Sequence, residues 1–349
     1  MVRAAVLAAA AAPLAVVGLE QPPHAWARRV AAGDAAAIKA ALDTDAPFVV
    51  AGALGAEACE AWTDAFVAEL GDARVTAQTP GETHDLALGD FFAEAMESTH
   101  ARPVFLFDES LLDGAPALRG AAVAPQRAFF GERSFFDAFP EDRRPKDCCV
   151  VAAGAGARSP LHRDPYDWTG TSLCVEGTKV WRFLYGADEA ADLGAYELPS
   201  GAFGGDSAGT QSDVDLFAER RGDAWRRSWP PPSAYEDDAV LLEKWSPPAN
   251  FAASAPSPPT ASYVTALQRA GDVVVVPARA WHQTYALEPS LAVASQVCRR
   301  ADAPRVFGHV LARAAPDAPD DARTRLLAAA ARDDPDAAAR ALFDYLATY

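Results

Sequence analysis

His162 and Asp164 are separated by one residue in the segment Ser159-Pro-Leu-His162-Arg-Asp164-Pro165. On an extended strand, side chains two apart point to the same face, so an imidazole and a carboxylate leave one strand together. These are two of the three ligands of a facial 2-His-1-carboxylate iron centre, which keeps adjacent coordination positions open for a bidentate co-substrate and dioxygen. Alone, a His-x-Asp pair reads more simply as a hydrogen-bonded surface couple. A third ligand has to come from a distant strand, and Gly271-Asp272-Val273-Val-Val-Val276-Pro277-Ala-Arg-Ala-Trp281-His282 offers one. Its valine run reads as a buried strand, Pro277 opens a turn and His282 begins the next strand. His282 by itself is as readily a satisfied core histidine. The pairing of the two segments favours a metal site.

Other chemistries find less support. Ser-His-Asp catalysis would need a Gly-x-Ser-x-Gly elbow, which is missing. Gly204-Gly205 is a loop, with neither a GxGxxG nor a Walker pattern around it. His24, His84, His100 and His309 lack partner spacing and read as structural or surface residues. Asp167 and Trp168 follow the His-x-Asp pair closely, and either line a substrate mouth or form a structural turn. Trp181 reads as core.

Composition bounds the partners. Thirty-one Lys and Arg stand against 48 Asp and Glu, a formal net charge of −17. Nucleic-acid binding rests on cations facing phosphates, so such a partner is not expected. An acidic surface suits basic protein segments, unless it is simply a solvated face. The five cysteines are scattered and form no CxxC, which excludes a disulfide scaffold and a zinc finger. No membrane span is expected. Met1-Val2-Arg3 followed by apolar Ala4–Leu19 is open between a signal peptide cut after Gly18 and an Ala-rich leader. A cytoplasmic or nuclear setting is favoured.

The elements that must position these residues are legible as patterns. Residues 20–45 read as a helical lead-in, with Asp34 capping Ala35–Leu42. Pro47–Val50 reads as a strand, Glu57–Leu70 as a helix with Ala58, Trp62, Phe66 and Leu70 four apart, and Leu88–Met96 as a helix. From Val104 the pattern turns to short strands separated by Gly, Pro and Asp turns, as in an antiparallel sandwich or barrel. A long irregular connection precedes Cys148–Val151. Three helical patterns close the chain at Val306–Ala314, Asp321–Ala331 and Asp336–Leu346. The expected organisation is a leader and helical segment at 1–45, a catalytic domain at 46–300 with an insertion at 186–262, and C-terminal helices at 301–349.

Taken in order, several motifs resemble the JmjC-type cupin oxygenases, which depend on Fe(II) and 2-oxoglutarate. The resemblance is greatest to the phosphatidylserine-receptor-like group, described as arginine demethylases and lysyl hydroxylases. The motifs are Pro103–Asp108, Arg143-Arg144-Pro145, Ser159–Pro165, Gly177-Thr-Lys179-Val-Trp181, and Gly271–Pro277 with Trp281-His282. They span roughly residues 45–310. The resemblance implies a mainly β fold with flanking helices, a double-stranded β-helix of the jelly-roll or cupin type. It implies iron ligands at His162, Asp164 and His282. Lys179, seventeen residues after His162, matches the lysine that pairs with the distal carboxylate of 2-oxoglutarate. Ser159 and Ser172 match polar positions around that co-substrate, and Ser295 or Gln296 matches another.

The implied activity is hydroxylation or demethylation of a protein side chain, with release of succinate and carbon dioxide. The lack of a chromatin-reader module favours hydroxylation. The C-terminal helices either form a homodimer interface or pack on the barrel. The sequence also departs from the group: Phe105 stands where it commonly has a tyrosine, and Ser172 where it usually has an asparagine. Two other readings stay open, a catalytically silent JmjC-like scaffold and a non-iron cupin metalloenzyme. Lys179 discriminates among them, because only a co-substrate with a distal carboxylate needs it.

Overall fold

The computed structural model describes residues 25–99, 102–141, 144–184, 196–197, 210–212, 216–217, 264–314 and 334–347. The leader, the expected helix at Asp321–Ala331 and the patch at Ala239–Trp245 lie outside these residues. The fold is mainly β: sixteen strands in two antiparallel-rich sheets, with six α-helices among the described residues.

The first described elements are β1 (Ala25–Trp26) and β2 (Arg28–Ala31), where a helical lead-in was expected. Parallel pairing with distant strands overrides the local helical pattern here: β1 lies beside β13 (Val264–Arg269), and β2 beside β3 (Phe48–Ala51). Helix α1 (Ala35–Leu42) follows, and the Asp34 carboxylate accepts from Ala37 N at 2.9 Å. That bond satisfies one of the donors a helix start leaves open. Helix α2 (Ala56–Leu70) buries Cys59, Trp62 and Phe66, and the last two stack at 4.9 Å.

Strands β4 (Arg74–Thr79) and β5 (Glu82–Ala87) form a hairpin, and α3 (Leu88–Glu97) buries Leu88, Phe91 and Ala95. After β6 (Phe105–Asp108), the connection expected to be irregular contains helix α4 (Pro116–Arg127). Pro116 opens it, where a missing N–H costs nothing. Its buried Gln126 donates to Val293 O at 3.0 Å, which fastens the helix to the sheet. A 3-10 turn at Phe135–Ala138 precedes β7 (Cys148–Ala153).

The remaining strands are β8 (Leu161–Arg163), β9 (Thr169–Glu176), β10 (Thr178–Leu184), β11 (Tyr196–Glu197), β12 (Thr210–Ser212), β13, β14 (Val273–Val276), β15 (Trp281–Ala286) and β16 (Ser290–Val297). One sheet runs β1-β13-β10-β15-β8-β12-β11, the other β2-β3-β14-β9-β16-β7-β6-β4-β5. Trp181, Phe183 and Ala266 of the first pack against Val49, Val274 and Val276 of the second in one apolar cluster. The sheets therefore face each other as a β-sandwich. Gly177 makes the tight β9–β10 turn at φ +79, and a Cβ there would stand 2.2 Å from Pro289 O. Only glycine fits, and the turn sets the register of Lys179 two residues later.

Helices α5 (Ala303–Ala314) and α6 (Pro335–Leu346) pack on this chain's own aromatic cluster of Phe135, Phe136, Phe139 and Trp168. Buried Asp302 ties the start of α5 to the sheet: it accepts from Thr169 Oγ1 at 2.7 Å and from Arg299 Nε at 2.9 Å. Among the described residues no helix is long and apolar enough to cross a membrane.

Candidate metal centre

His162 sits in the middle of β8, and His282 is its direct partner across the ladder to β15. Their ring centroids are 4.1 Å apart. Asp164 follows β8 directly, and its Oδ1 lies 3.9 Å from His162 Nε2 and 3.8 Å from His282 Nε2. The three ligand atoms lie within 4.8 Å of one another, so the group can hold one metal ion. Two segments 118 positions apart at their closest ligands, Asp164 and His282, are brought together by strand pairing.

The imidazoles are already oriented. His162 Nδ1 lies 2.9 Å from Pro160 O, and His282 Nδ1 lies 3.0 Å from Ala280 O. A carbonyl only accepts, so each Nδ1 carries the proton and each Nε2 offers its lone pair. Such outer contacts fix the tautomer and ring orientation of metal-binding histidines. Burial, reinforced by the nearby His282, pushes the His162 pKa down to about 4. The ring is therefore neutral near pH 7, as a ligand must be.

Gly170 in β9 makes room for the carboxylate. A Cβ at this position would stand 2.6 Å from Asp164 Oδ2 and 3.3 Å from Val276 Cβ. The requirement arises from a contact between two elements, so the bare sequence carried no signal for it.

The three residues open into a cavity of about 140 Å3 between the sheets, with Lys179, Trp181, Ser172, Ser159, Thr284 and Ser295 also on its wall. A volume of about 150 Å3 accommodates a benzene-sized ligand in an engineered core. Lys179 and Trp181 share the inward face of β10. Trp181 donates to Gln268 Oε1 at 2.8 Å and stacks near His282 at 5.8 Å. Read as core from the sequence, Trp181 is buried and also walls the site.

Lys179 is 3% exposed. Among the described residues none gives its ammonium a salt bridge or a hydrogen bond, and the nearest aromatic face is Trp181 at 5.7 Å. Burial pulls its pKa below the ordinary lysine value, with the Cys174 and Cys149 thiols acting the other way. Cys149 also lines the cavity, and burial holds its thiol far above the usual range.

The two serines differ. Ser159 Oγ accepts from Thr284 N at 3.0 Å and ties β8 to β15, while Ser172 is buried on the cavity wall. Ser295 Oγ donates to Asp147 O at 2.5 Å, and Gln296 also lines the cavity. Phe105 contributes an aromatic wall without a hydroxyl. A second, more open cavity of about 580 Å3 adjoins the first, and the two share Phe105, Phe107, Glu109, Lys146, Ser159 and His162. Glu109 at this neck was not recognised in the sequence, where it is one acid among many. Its Oε2 is buried without a hydrogen-bond partner.

The chain matches no family model and no curated protein.

Proposed function

We propose that this chain is an Fe(II)- and 2-oxoglutarate-dependent oxygenase, built on a double-stranded β-helix of the JmjC type and acting on a protein side chain. The observation that carries the reading is Lys179: an ammonium with no counter-charge among the described residues, buried in the same cavity as His162, Asp164 and His282. An unpaired buried charge is costly, and a bound dicarboxylate would compensate it through a charge-assisted bond. The strand orders β13-β10-β15-β8 and β14-β9-β16-β7 within the facing sheets are those expected of such a jelly roll.

The donor set fits iron. Two imidazoles and one carboxylate are the donor set of a facial triad, which would leave positions open on the metal. When bound, iron with 2-oxoglutarate and dioxygen supplies the oxidation that hydroxylates a carbon and yields succinate and carbon dioxide. The chain's part is to bind, orient and exclude water. Pro160 O and Ala280 O hold both imidazoles in the ligating tautomer, and Gly170 leaves Asp164 its place. Lys179 selects the far carboxylate, and the walls of Trp181, Val276 and Phe105 keep the centre dry.

The adjoining outer cavity gives a side chain of another protein a way in, and the net charge of −17 suits a basic segment. Hydroxylation is favoured over histone demethylation. The test is calorimetric titration of 2-oxoglutarate onto the protein with and without Fe(II), under anaerobic conditions. Metal-dependent binding of one equivalent, lost in His162→Ala, supports the reading; equal binding with and without metal contradicts it.

A further inference from the structure

We infer that Asp167, outside the cavity, is a positioning residue that holds the turn after β8, which carries Asp164, and the turn before β15, which leads to His282, in register by docking them on the C-terminal helix α5 through His309. The inference rests on the metal-site reading above and extends it to residues that touch neither metal nor co-substrate.

The Asp167 side chain is 10% exposed and faces three basic side chains, those of His309, Arg163 and Arg279. His309 Nε2, on α5, lies 3.1 Å from Asp167 Oδ2. Arg163 Nε lies 3.9 Å from Oδ1, and Arg163 stands between the two ligands His162 and Asp164. Arg279 Nε lies 4.0 Å from Oδ2, and Arg279 stands three residues before His282. One carboxylate thus bridges the segment carrying two ligands, the turn leading to the third, and the C-terminal helix. Burial alone would raise the Asp167 pKa, yet it lies below the ordinary value because the His309 bond and the neighbouring cations prevail.

The backbone shows why such a clamp is needed. Tyr166 (φ 57), Asp167 (φ 55) and Arg279 (φ 68) are non-glycine residues in the left-handed region. Such conformations persist only where surrounding contacts over-determine them. They lie in the two turns that Asp167 joins. The same segment is held at a second point by the Thr169–Asp302 bond, and its Trp168 packs edge-on against Phe136 at 5.8 Å. Helix α5 thereby serves as the floor on which the metal-binding turn rests.

The experiment uses the full chain with Co(II) alone as probe. It reads the dissociation constant and the visible d–d spectrum, and circular dichroism tracks folding. Wild type binds one Co(II). Asp167→Asn and His309→Ala bind it several-fold more weakly, a smaller loss than for a group bonded to a ligand directly, with an altered spectrum. His309→Gln, which keeps a donor for Asp167, recovers most of the affinity and the wild-type band shape. If Asp167→Asn does not fold, His309→Ala and His309→Gln decide, because His309 is half-exposed. Wild-type affinity and spectrum in His309→Ala overturn the inference. A wild type that takes up no Co(II) overturns the metal reading and the inference with it.

Discussion

His162 and His282 stand opposite each other on β8 and β15, with ring centroids 4.1 Å apart and each Nδ1 held by the carbonyl two residues before it. The repeated tether gives both rings the same tautomer, so both Nε2 atoms offer lone pairs beside Asp164. Two bare imidazoles this close would repel if both were protonated, which is part of why burial and His282 depress the His162 pKa to about 4. The arrangement suits a shared cation better than a hydrogen-bonded couple.

Removing one ligand should abolish tight metal binding and leave the fold. His162→Ala shortens one partly exposed side chain in a three-residue strand. Metal content after loading and the thermal midpoint check this together; a variant that retains stoichiometric metal contradicts the ligand assignment.

Lys179→Ala should raise the 2-oxoglutarate requirement about ten- to a hundredfold while metal still binds, because a bond to a charged group contributes roughly 1.5–3 kcal/mol. Lys179→Arg should fall between, since the planar fork is bulkier than an ammonium. Succinate release against 2-oxoglutarate concentration measures the shift. An unchanged KM in the Ala variant would show that the ammonium does not meet the co-substrate.

Gly170→Ala should weaken metal binding more than it lowers stability. The new Cβ meets the free end of the Asp164 side chain at 2.6 Å, and that end must move, whereas Val276 Cβ at 3.3 Å need give only a few tenths of an ångström. Equal affinity in wild type and variant would show that Asp164 tolerates the displacement.

Glu109 gives a pH dependence with a definite sign. Burial raises its pKa from 4.5 to about 7, against an opposing effect of Lys146 and with a smaller contribution from Asp108. The folded state therefore holds this proton more tightly than the unfolded chain does. The stabilisation is full below about pH 4.5 and is lost as pH rises through about 7. Glu109→Gln removes this dependence. Melting of the metal-free proteins between about pH 5 and 8 should show wild type losing stability relative to the variant as pH rises. Parallel curves would place the carboxyl in an ordinary aqueous environment.

Much of the frame is legible in the chain itself because its causes are local. Asp34 caps the helix it precedes, Trp62 and Phe66 share a face four residues apart, and the valine run of β14 follows from residue type. The candidate trio is legible only as a pairing: the spacing of His162 and Asp164 is weak by itself, and His282 behind the valine run of a second segment gives it weight. Features set by distant contacts are not. The strands at 25–31 exist only through pairing with β13 and β3. Helix α4 contains Gly120 and Pro125, which break the expected pattern, and Gln126 anchors it to a residue 167 positions away. For His309, read as a structural or surface residue, the sequence carries no sign of its partner, an aspartate 142 positions earlier.

The most direct measurement is a crystal structure grown anaerobically with Fe(II) and a non-reactive 2-oxoglutarate analogue. The account predicts one ion bound by His162 Nε2, Asp164 and His282 Nε2. It also predicts the analogue in the inner cavity, with its far carboxylate on Lys179 Nζ. An ion elsewhere, or an analogue whose far carboxylate does not reach Lys179, would contradict it.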